Sequence, residues 1–305
     1  MFRTWNQSWE LVKASWGILQ KNRQLLAFPF LSLIGAVIIT GIFGAGLLVY
    51  GVTTGSFNQL SQDPSTTTPA QRAIGIVVLF LYYLAMAIVT IYTNAALTSA
   101  VFRGLAGQSA TVGDGFAAAN ARLGKIVGFA AITATVGVLL SLVRNAGSRE
   151  GNGIGAIITS LVAGLVGLAW NIATFLVIPV LVAENIGPIE SIKRSAGMLQ
   201  QTWGRQIVGN FSIGGIFGLL TLGIGVVIGL PTYALFSATH SFIILVAGIA
   251  LFAVVAVLLS LIQGAMNSIF RASLYRFASS GQVVYYPQGV LQGAFTARPS
   301  GAFGR

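Results

Sequence analysis

The chain has no cysteine and a single histidine, His240, among its 305 residues. Disulfides and thiolate metal sites are therefore excluded, and no second imidazole can join His240 in a metal site. Asp and Glu number six against seventeen Lys and Arg, and charged residues make up only 8% of the chain. Soluble domains carry about 25% charged residues. So few charges cannot cover a water-facing surface of this size, which indicates a protein that lies in lipid.

Charged residues are absent from six long apolar runs. Crossing the hydrocarbon of a bilayer takes about 20 apolar residues at about 1.5 Å each. The runs of about this length are 25–52, 73–102, 126–143, 154–182, 207–230 and 242–270. The predicted fold class is therefore all-α, a polytopic membrane protein with six transmembrane helices. We interpret the first run as a retained span, because its apolar stretch is too long for a cleaved signal peptide.

The basic residues are distributed unevenly among the segments between the spans. With both termini on one side, that side holds fourteen Lys and Arg, and the opposite loops hold three. The fourteen are Arg3, Lys13, Lys21, Arg23, Arg103, Arg122, Lys125, Lys193, Arg194, Arg205, Arg271, Arg276, Arg298 and Arg305; the three are Arg72, Arg144 and Arg149. This bias predicts a multi-pass protein of a cytoplasmic (inner) membrane with both termini cytoplasmic. Anionic lipid headgroups are then the expected partners of the basic side, and no nucleic acid is expected.

A short pattern occurs three times: an acidic residue, an apolar residue two places on, small residues at five and seven, and Leu at nine. The copies run from Glu10 to Leu19, from Asp114 to Leu123 and from Glu190 to Leu199. Each copy precedes two apolar runs, which predicts three helical hairpins, each preceded by an amphipathic interfacial helix. These helices are expected at about 1–24, 111–124 and 188–203, and residues 271–305 form a basic cytoplasmic tail. Old duplication explains the repeat, and convergence of amphipathic helices is the alternative.

Side chains of these amphipathic segments are candidates for contacts at the membrane surface. The candidate interfacial anchors are Trp5, Trp9, Trp16 and Trp203, and the charged members of the repeat are Glu10, Lys13, Asp114, Glu190, Lys193 and Arg194. The indoles suit a helix lying at the headgroup level, or they pack against neighbouring spans. In the third copy, Ile189, Ile192, Ala196, Leu199 and Trp203 are predicted to line the apolar face. Glu190 is spaced to pair with Lys193 or Arg194.

No Asp, Glu, Lys, Arg or His lies inside the six runs, which argues against a proton relay or a charge-coupled pump. The amides in the runs are Asn94, Asn171, Asn210 and Asn267. Buried Asn normally bonds a neighbouring helix, and we favour that interpretation over a solute path. Pairs of small residues such as Ser160 with Gly164 favour close helix packing, within one chain or in a homo-oligomer.

No group of residues in the sequence indicates catalysis. The serines of the runs have no neighbouring base, no carboxylates are paired, and no glycine-rich loop follows a strand. We therefore predict no catalytic residue, no cofactor and no metal. Two functions stay open: a non-catalytic scaffold or accessory subunit of a membrane assembly, and a channel or carrier for a small solute.

The segment 181–195, which reads LVAENIGPIESIKRS, resembles a broad group of uncharacterised prokaryotic multispan membrane proteins, and so does the segment 272–281. In that group a span ends in an acidic residue, and Pro or a small residue opens a basic amphipathic helix. The resemblance implies a bacterial or archaeal cytoplasmic-membrane protein and no particular activity. Pro188, Glu190 and Lys193 are also spaced as in the mitochondrial solute carriers. That likeness is an architectural analogy, because neither Glu10 nor Asp114 has the matching Pro.

Overall fold

A computed structural model describes residues 13, 15–54, 68–109, 111–149, 153–203 and 213–280. Within these ranges the backbone is helix with short connections and contains no strand, so the all-α fold class is confirmed. The helices are α1 (Ala27–Thr54), α2 (Pro69–Leu105), α3 (Val112–Asn120), α4 (Leu123–Arg149), α5 (Gly153–Ala173), α6 (Val177–Glu184), α7 (Pro188–Trp203), α8 (Ile213–Thr239) and α9 (Phe242–Ser280). A 3-10 turn, Arg23–Leu26, precedes α1, and residues 15–21 are helical. Trp5, Trp9, Glu10 and Asn210 lie outside the described residues.

Six helical stretches are long and apolar enough to cross a membrane, as the sequence predicts. They are Arg23–Thr54, Pro69–Leu105, Leu123–Arg144, Thr159–Glu184, Gly214–Thr239 and Phe242–Ser280. The last is the longest, because α9 continues for almost three turns past residue 270. The shortest still spans about 33 Å at 1.5 Å per residue, enough for a hydrocarbon layer of about 30 Å.

The fourth of these stretches is not a single helix, although 154–182 was predicted as one uninterrupted span. Helix α5 ends at Ala173, a turn follows at 174–176, and α6 begins at Val177. Pro179 accounts for the break, because proline has no N–H and its ring collides with the carbonyl four residues earlier. The turn leaves backbone groups that need partners from elsewhere in the protein.

The chain divides into two compact units. Unit 1 comprises Met1–Pro29, Ala100–Val112 and Gly197–Arg305, and unit 2 comprises Phe30–Ser99 and Gly113–Ala196.

In unit 2, α4 packs along α5, and α1 contacts α2 at separate points. Gly35 makes one contact between α1 and α2 possible: a Cβ there would lie 2.7 Å from Cγ1 of Val89. Farther along the same pair of helices, the rings of Phe43 and Tyr82 are 5.5 Å apart. The small residue therefore permits the backbones to approach, as in other close pairs of membrane helices.

In unit 1, α8 and α9 pack along each other and are joined by His240 and Ser241. His240 has φ 50° and turns the chain back. Gly248 of α9 directly faces Thr232 of α8, with no room for a side chain between them. Nearer the end of α9, the 3-10 turn Arg23–Leu26 contacts the helix, and the ring of Tyr275 lies 5.7 Å from that of Phe102.

Burial is concentrated at one end of α8 and at one end of α9. In α9 the buried residues lie between Ala265 and Tyr275, whereas Ile243 near its start is 79% exposed. In α8 the order is reversed, with Ile216 and Phe217 buried and the later residues exposed. In both helices the buried end lies near Lys or Arg in the sequence. The opposite halves present large apolar side chains, as expected of a surface in contact with lipid.

Candidate functional site

The break in the fourth span is held by a side chain of α7. The backbone N–H of Leu176 donates a hydrogen bond of 3.0 Å to Oγ of Ser195, and both residues are buried. A buried N–H without an acceptor would cost about 1–3 kcal/mol. Ser195 therefore stabilises the turn that Pro179 creates, and it links that turn to the helix that follows the span.

A lysine and an asparagine join α4 to the end of α6. Nζ of Lys125 donates to the backbone oxygen of Asn185 and, at 2.7 Å, to its Oδ1. Asn185 caps α6 in the left-handed conformation, with φ 53°. Asn tolerates that conformation better than most residues, and the ammonium group neutralises the free carbonyl at the helix end. Sequence reasoning missed this contact because its partners are 60 residues apart.

Arg194 does not contact Glu190 but Glu184 at the end of α6. Its Nε lies 3.2 Å from Oε1 of Glu184, so the predicted pairing within the helix does not form. Lys193 is exposed. The Glu184–Arg194 pair is itself partly exposed, and such pairs contribute about 0–1 kcal/mol. We call Lys125, Glu184, Asn185, Arg194 and Ser195 the polar clamp.

Glu190 has a different role, at the start of α7. Pro188 is the first residue of this helix, and the N–H of Gly187 donates to Oε2 of Glu190 at 3.3 Å. This is half of a capping box, with the acid at the third helical position. Asp114 also occupies the third position of its helix, α3. In both described copies, the acid of the repeat therefore marks a helix start and favourably faces the helix dipole.

The small residue at the fifth position of the repeat is buried in every copy. Ser15, Ala119 and Ser195 are each 0% exposed. The apolar face predicted for α7 is only partly buried: Ile189 is 60% exposed, and the buried side carries Ser191 and Ser195 as well as Met198 and Leu199. The difference arises because small side chains allow a helix to approach its neighbour closely, while Ile189 at the first turn lies outside that contact.

The predicted amides occupy three kinds of position. Asn94 and Asn267 are half-buried, Asn171 of α5 is exposed, and Asn210 is outside the described residues. Of the predicted anchors, Trp16 is 41% exposed, and the side chain of Trp203 lies outside the described part. Lys13 is exposed and Asp114 is half-buried.

Hydroxyl groups in the spans mostly bond to the carbonyls of their own helix. Oγ1 of Thr133 donates to Phe129 O at 2.9 Å, and Oγ1 of Thr221 donates to Phe217 O at 2.8 Å. The same local bonds are formed by Thr93, Ser99, Thr135, Ser160, Thr174, Thr232 and Ser260. Tyr92 reaches another helix, where its hydroxyl donates to Oδ1 of Asn120 at 2.7 Å. These groups are engaged in helix structure and helix contacts.

Unit 1 contains a small, partly open cavity of about 40 Å³. It is lined by Ile18, Lys21, Asn22, Leu25, Ala100, Val101, Gly104 and Leu105. A cavity of this size holds a few water molecules at most. Among the described residues, no group of three His, Asp or Glu side chains is placed to hold a metal ion.

Several buried side-chain polar atoms have no hydrogen-bond partner among the described residues. They include Oγ of Ser191, Oγ of Ser273 and Nη1 of Arg276. Buried polar groups in proteins are normally satisfied, so each calls for an explanation. Ser191 lies one turn before Ser195 on α7, whereas Ser273 and Arg276 lie together on α9. The sequence gives no direct signal for any of them, since burial depends on helix contacts.

Residues 73–285 match the profile of DUF6159, a family of unknown function. No curated protein and no solved structure matches the chain. The matched range covers most of the chain and includes all of α4 to α9 with the polar clamp. The chain therefore belongs to the DUF6159 family of unknown function.

Proposed function

We propose that this protein is a non-catalytic scaffold or accessory subunit of an assembly in a prokaryotic cytoplasmic membrane. Its spans form three hairpins, each preceded by an amphipathic helix at the cytoplasmic surface, with both termini cytoplasmic. The uneven distribution of Lys and Arg supports this orientation. Anionic lipid headgroups are the expected partners of the basic side.

One observation carries the preference for a scaffold. Many hydroxyl groups of the spans are bonded to their own helices or to a neighbouring helix, as for Thr133, Thr221 and Tyr92. A solute path needs polar groups that are left available to the solute. Groups already engaged in local bonds support a structural role instead.

The exposed amide of Asn171 supports contact with another membrane subunit. It lies in α5 among exposed apolar side chains, including Leu165 and Leu168. An amide facing lipid lacks the hydrogen bonds it would have in water, which is unfavourable. A neighbouring chain that bonds this amide would remove the penalty. Gly164 of the same helix has open space beside it, which would allow that chain to approach closely.

A channel or carrier for a small solute is the second candidate, and Asn171 is also the observation that favours it. An exposed amide on a span can line a path enclosed between several copies of the chain. The two proposals differ in what the amide contacts: another protein side chain in a scaffold, or the solute in a carrier.

Flux measurements on purified protein in liposomes separate the two proposals. A scaffold predicts that proton, potassium and small-solute fluxes match those of protein-free liposomes, for the wild type and for Asn94→Leu and Asn171→Leu. Leu165→Ala, an exposed change on the same helix that leaves the amide intact, is the matched control. Flux that is present in the wild type and in Leu165→Ala, but lost in Asn171→Leu, would overturn the scaffold proposal in favour of a carrier.

Photo-crosslinking from position 171 in intact membranes tests the scaffold directly. A photoreactive residue at this position should yield an adduct with a second protein chain, whether another copy or a different subunit. The same residue at position 227, a strongly exposed site on α8, serves as the comparison. Lipid adducts alone at position 171 would contradict a subunit contact there.

A further inference from the structure

Helix α5 packs against α4 through one face and leaves other faces open. Ala163 is 1% exposed, and a Cβ on Gly167 would lie 3.7 Å from Cδ1 of Leu140 on α4. Residues four apart lie on the same side of a helix, so Ala163 and Gly167 mark the face that contacts α4. Elsewhere on α5, large apolar side chains such as Leu161 and Leu165 are more than half exposed.

Beside the contact with α4 runs a stripe of exposed residues. They recur at intervals of three and four, so they lie along one side of the helix: Ile157, Ser160, Gly164, Leu168 and Asn171. A Cβ on Gly164 would meet no atom within 4 Å, and Oγ of Ser160 donates to the carbonyl of Ile157 at 2.8 Å. The stripe carries no charge, and the small residues at its centre let a second helix approach closely. We call these five residues the α5 stripe.

Asn171 is the member of the α5 stripe whose side chain still needs partners. It is exposed and forms no side-chain hydrogen bond with another described residue. It lies twelve residues after the start, and thirteen before the end, of the apolar stretch Thr159–Glu184. Twelve residues rise about 18 Å, and half of the hydrocarbon layer is about 15 Å thick. With this stretch across the bilayer, the amide lies near its middle, where neither water nor a headgroup bonds it.

The amide group is complementary to itself. Its oxygen accepts and its NH₂ group donates, so two facing Asn side chains can each donate one hydrogen bond to the other. A second copy inserts in the same orientation, because the same Lys and Arg residues stay on the same side of the membrane. A two-fold axis along the membrane normal then brings the same residue of both copies together at one depth. A different subunit would need a polar group of its own at this depth.

We infer that the α5 stripe is the interface of a homodimer, in which Asn171 bonds Asn171 of a second copy and Gly164 permits the two α5 helices to approach. Close contact between small residues drives helix association in lipid, and the amides fix which faces meet and at which depth. The inference rests on the proposed function, because it names the chain that contacts Asn171 in the scaffold.

Cysteine cross-linking in native membranes tests which face of α5 meets another copy. The full chain has no cysteine, so each variant carries a single one. Ser160→Cys and Leu168→Cys lie on the α5 stripe, whereas Val162→Cys and Val166→Cys lie on the opposite face, where both valines are 50% exposed. With a mild oxidant, positions 160 and 168 should form disulfide-linked dimers. Positions 162 and 166 should form none above the background of the cysteine-free chain.

Dimerisation of the purified full chain in detergent measures what the amide contributes. Energy transfer between copies labelled at a cysteine introduced at position 108 gives the dimer Kd on dilution. Asn171→Leu should raise this Kd about threefold to thirtyfold, the range for hydrogen bonds between membrane helices. Val166→Leu on the opposite face is the control and should leave the Kd within about twofold.

A second variant removes the close approach instead of the hydrogen bond. Gly164→Ile should abolish the dimer, because a side chain branched at Cβ would hold the two α5 helices apart. The open space beside Gly164 leaves room for that side chain in the single chain, so the circular dichroism spectrum should match that of the wild type.

Two results would overturn the homodimer. The first is equal cross-linking from the α5 stripe and from the opposite face, which would indicate random collision of copies. The second is a dimer Kd that changes no more in Asn171→Leu and Gly164→Ile than in Val166→Leu, or a wild-type chain that stays monomeric.

Further outcomes separate this inference from the proposed function. Adducts between position 171 and a different protein, with no dimer through the α5 stripe, would overturn the homodimer and leave the scaffold in place. A dimer that depends on Asn171 and Gly164, together with solute flux in liposomes, would support the homodimer and overturn the scaffold.

Discussion

The hydroxyl of Ser195 accepts the backbone N–H of Leu176 at 3.0 Å, with both residues buried. This bond joins the break in the fourth span to α7, through a residue 19 positions farther along the chain. Non-helical backbone at such a position is tolerated only where protein groups satisfy it. A side chain of the repeat thus makes the interruption at Pro179 stable.

Ser195→Ala should destabilise the protein by about 1–3 kcal/mol, because the N–H of Leu176 would be left buried without an acceptor. Ser191→Ala is the matched control, one turn earlier on α7 and equally buried, with a hydroxyl that has no hydrogen-bond partner among the described residues. Its effect should lie within about 0.5 kcal/mol of zero or be slightly stabilising. Unfolding in detergent, followed by circular dichroism, measures both. Equal losses for the two variants would show that Ser195 acts only by its size.

Asn185→Ala should destabilise the protein more than Asn185→Gly. The residue sits at φ 53°, where a Cβ is unfavourable by about 1–2 kcal/mol, a penalty that glycine avoids. Both variants lose the contact between Oδ1 and Nζ of Lys125, so the difference between them isolates the backbone term. Thermal unfolding of the two variants side by side provides the measurement. The reverse order would mean that the chain leaves the left-handed conformation in solution.

Gly248→Ala should weaken the packing of α8 against α9 by about 1–3 kcal/mol, because the new methyl group would overlap Thr232. Gly229→Ala is the control, since a Cβ there meets no atom within 4 Å and alanine favours helix. The double variant Gly248→Ala with Thr232→Ala should recover part of the loss, and a thermodynamic cycle measures that coupling. Additive effects in the cycle would contradict the direct contact.

The all-helical class and the six apolar helices were predictable because uncharged runs of about 20 residues have few other interpretations. The helix bounds were less predictable. The predicted sixth span ended at 270 because a charged residue follows, but α9 continues to Ser280. A charge ends a membrane span without ending a helix. Arg271 and Arg276 lie within the same continuous helix.

The break in the fourth span shows why a sequence pattern has limits. Pro179 is visible in the sequence, yet Pro231 lies inside α8 and that helix continues. Proline alone therefore does not predict an interruption. The turn at 174–176 differs because Oγ of Ser195 accepts a hydrogen bond from the N–H of Leu176. That contact depends on tertiary packing. For the same reason the spacing of Glu190 and Arg194 predicted an ion pair that Glu184 forms instead.

The most direct test of the account is the side of the membrane on which each end of the helices lies. Because the chain has no cysteine, single cysteines can be introduced without background labelling. Suitable exposed positions are Thr54 and His240 on one side, and Gln108 and Ser279 on the other. With a membrane-impermeant maleimide, cysteines at 54 and 240 should react in intact cells, and those at 108 and 279 only after permeabilisation. Labelling of positions 108 and 240 from the same side would contradict the six-span topology.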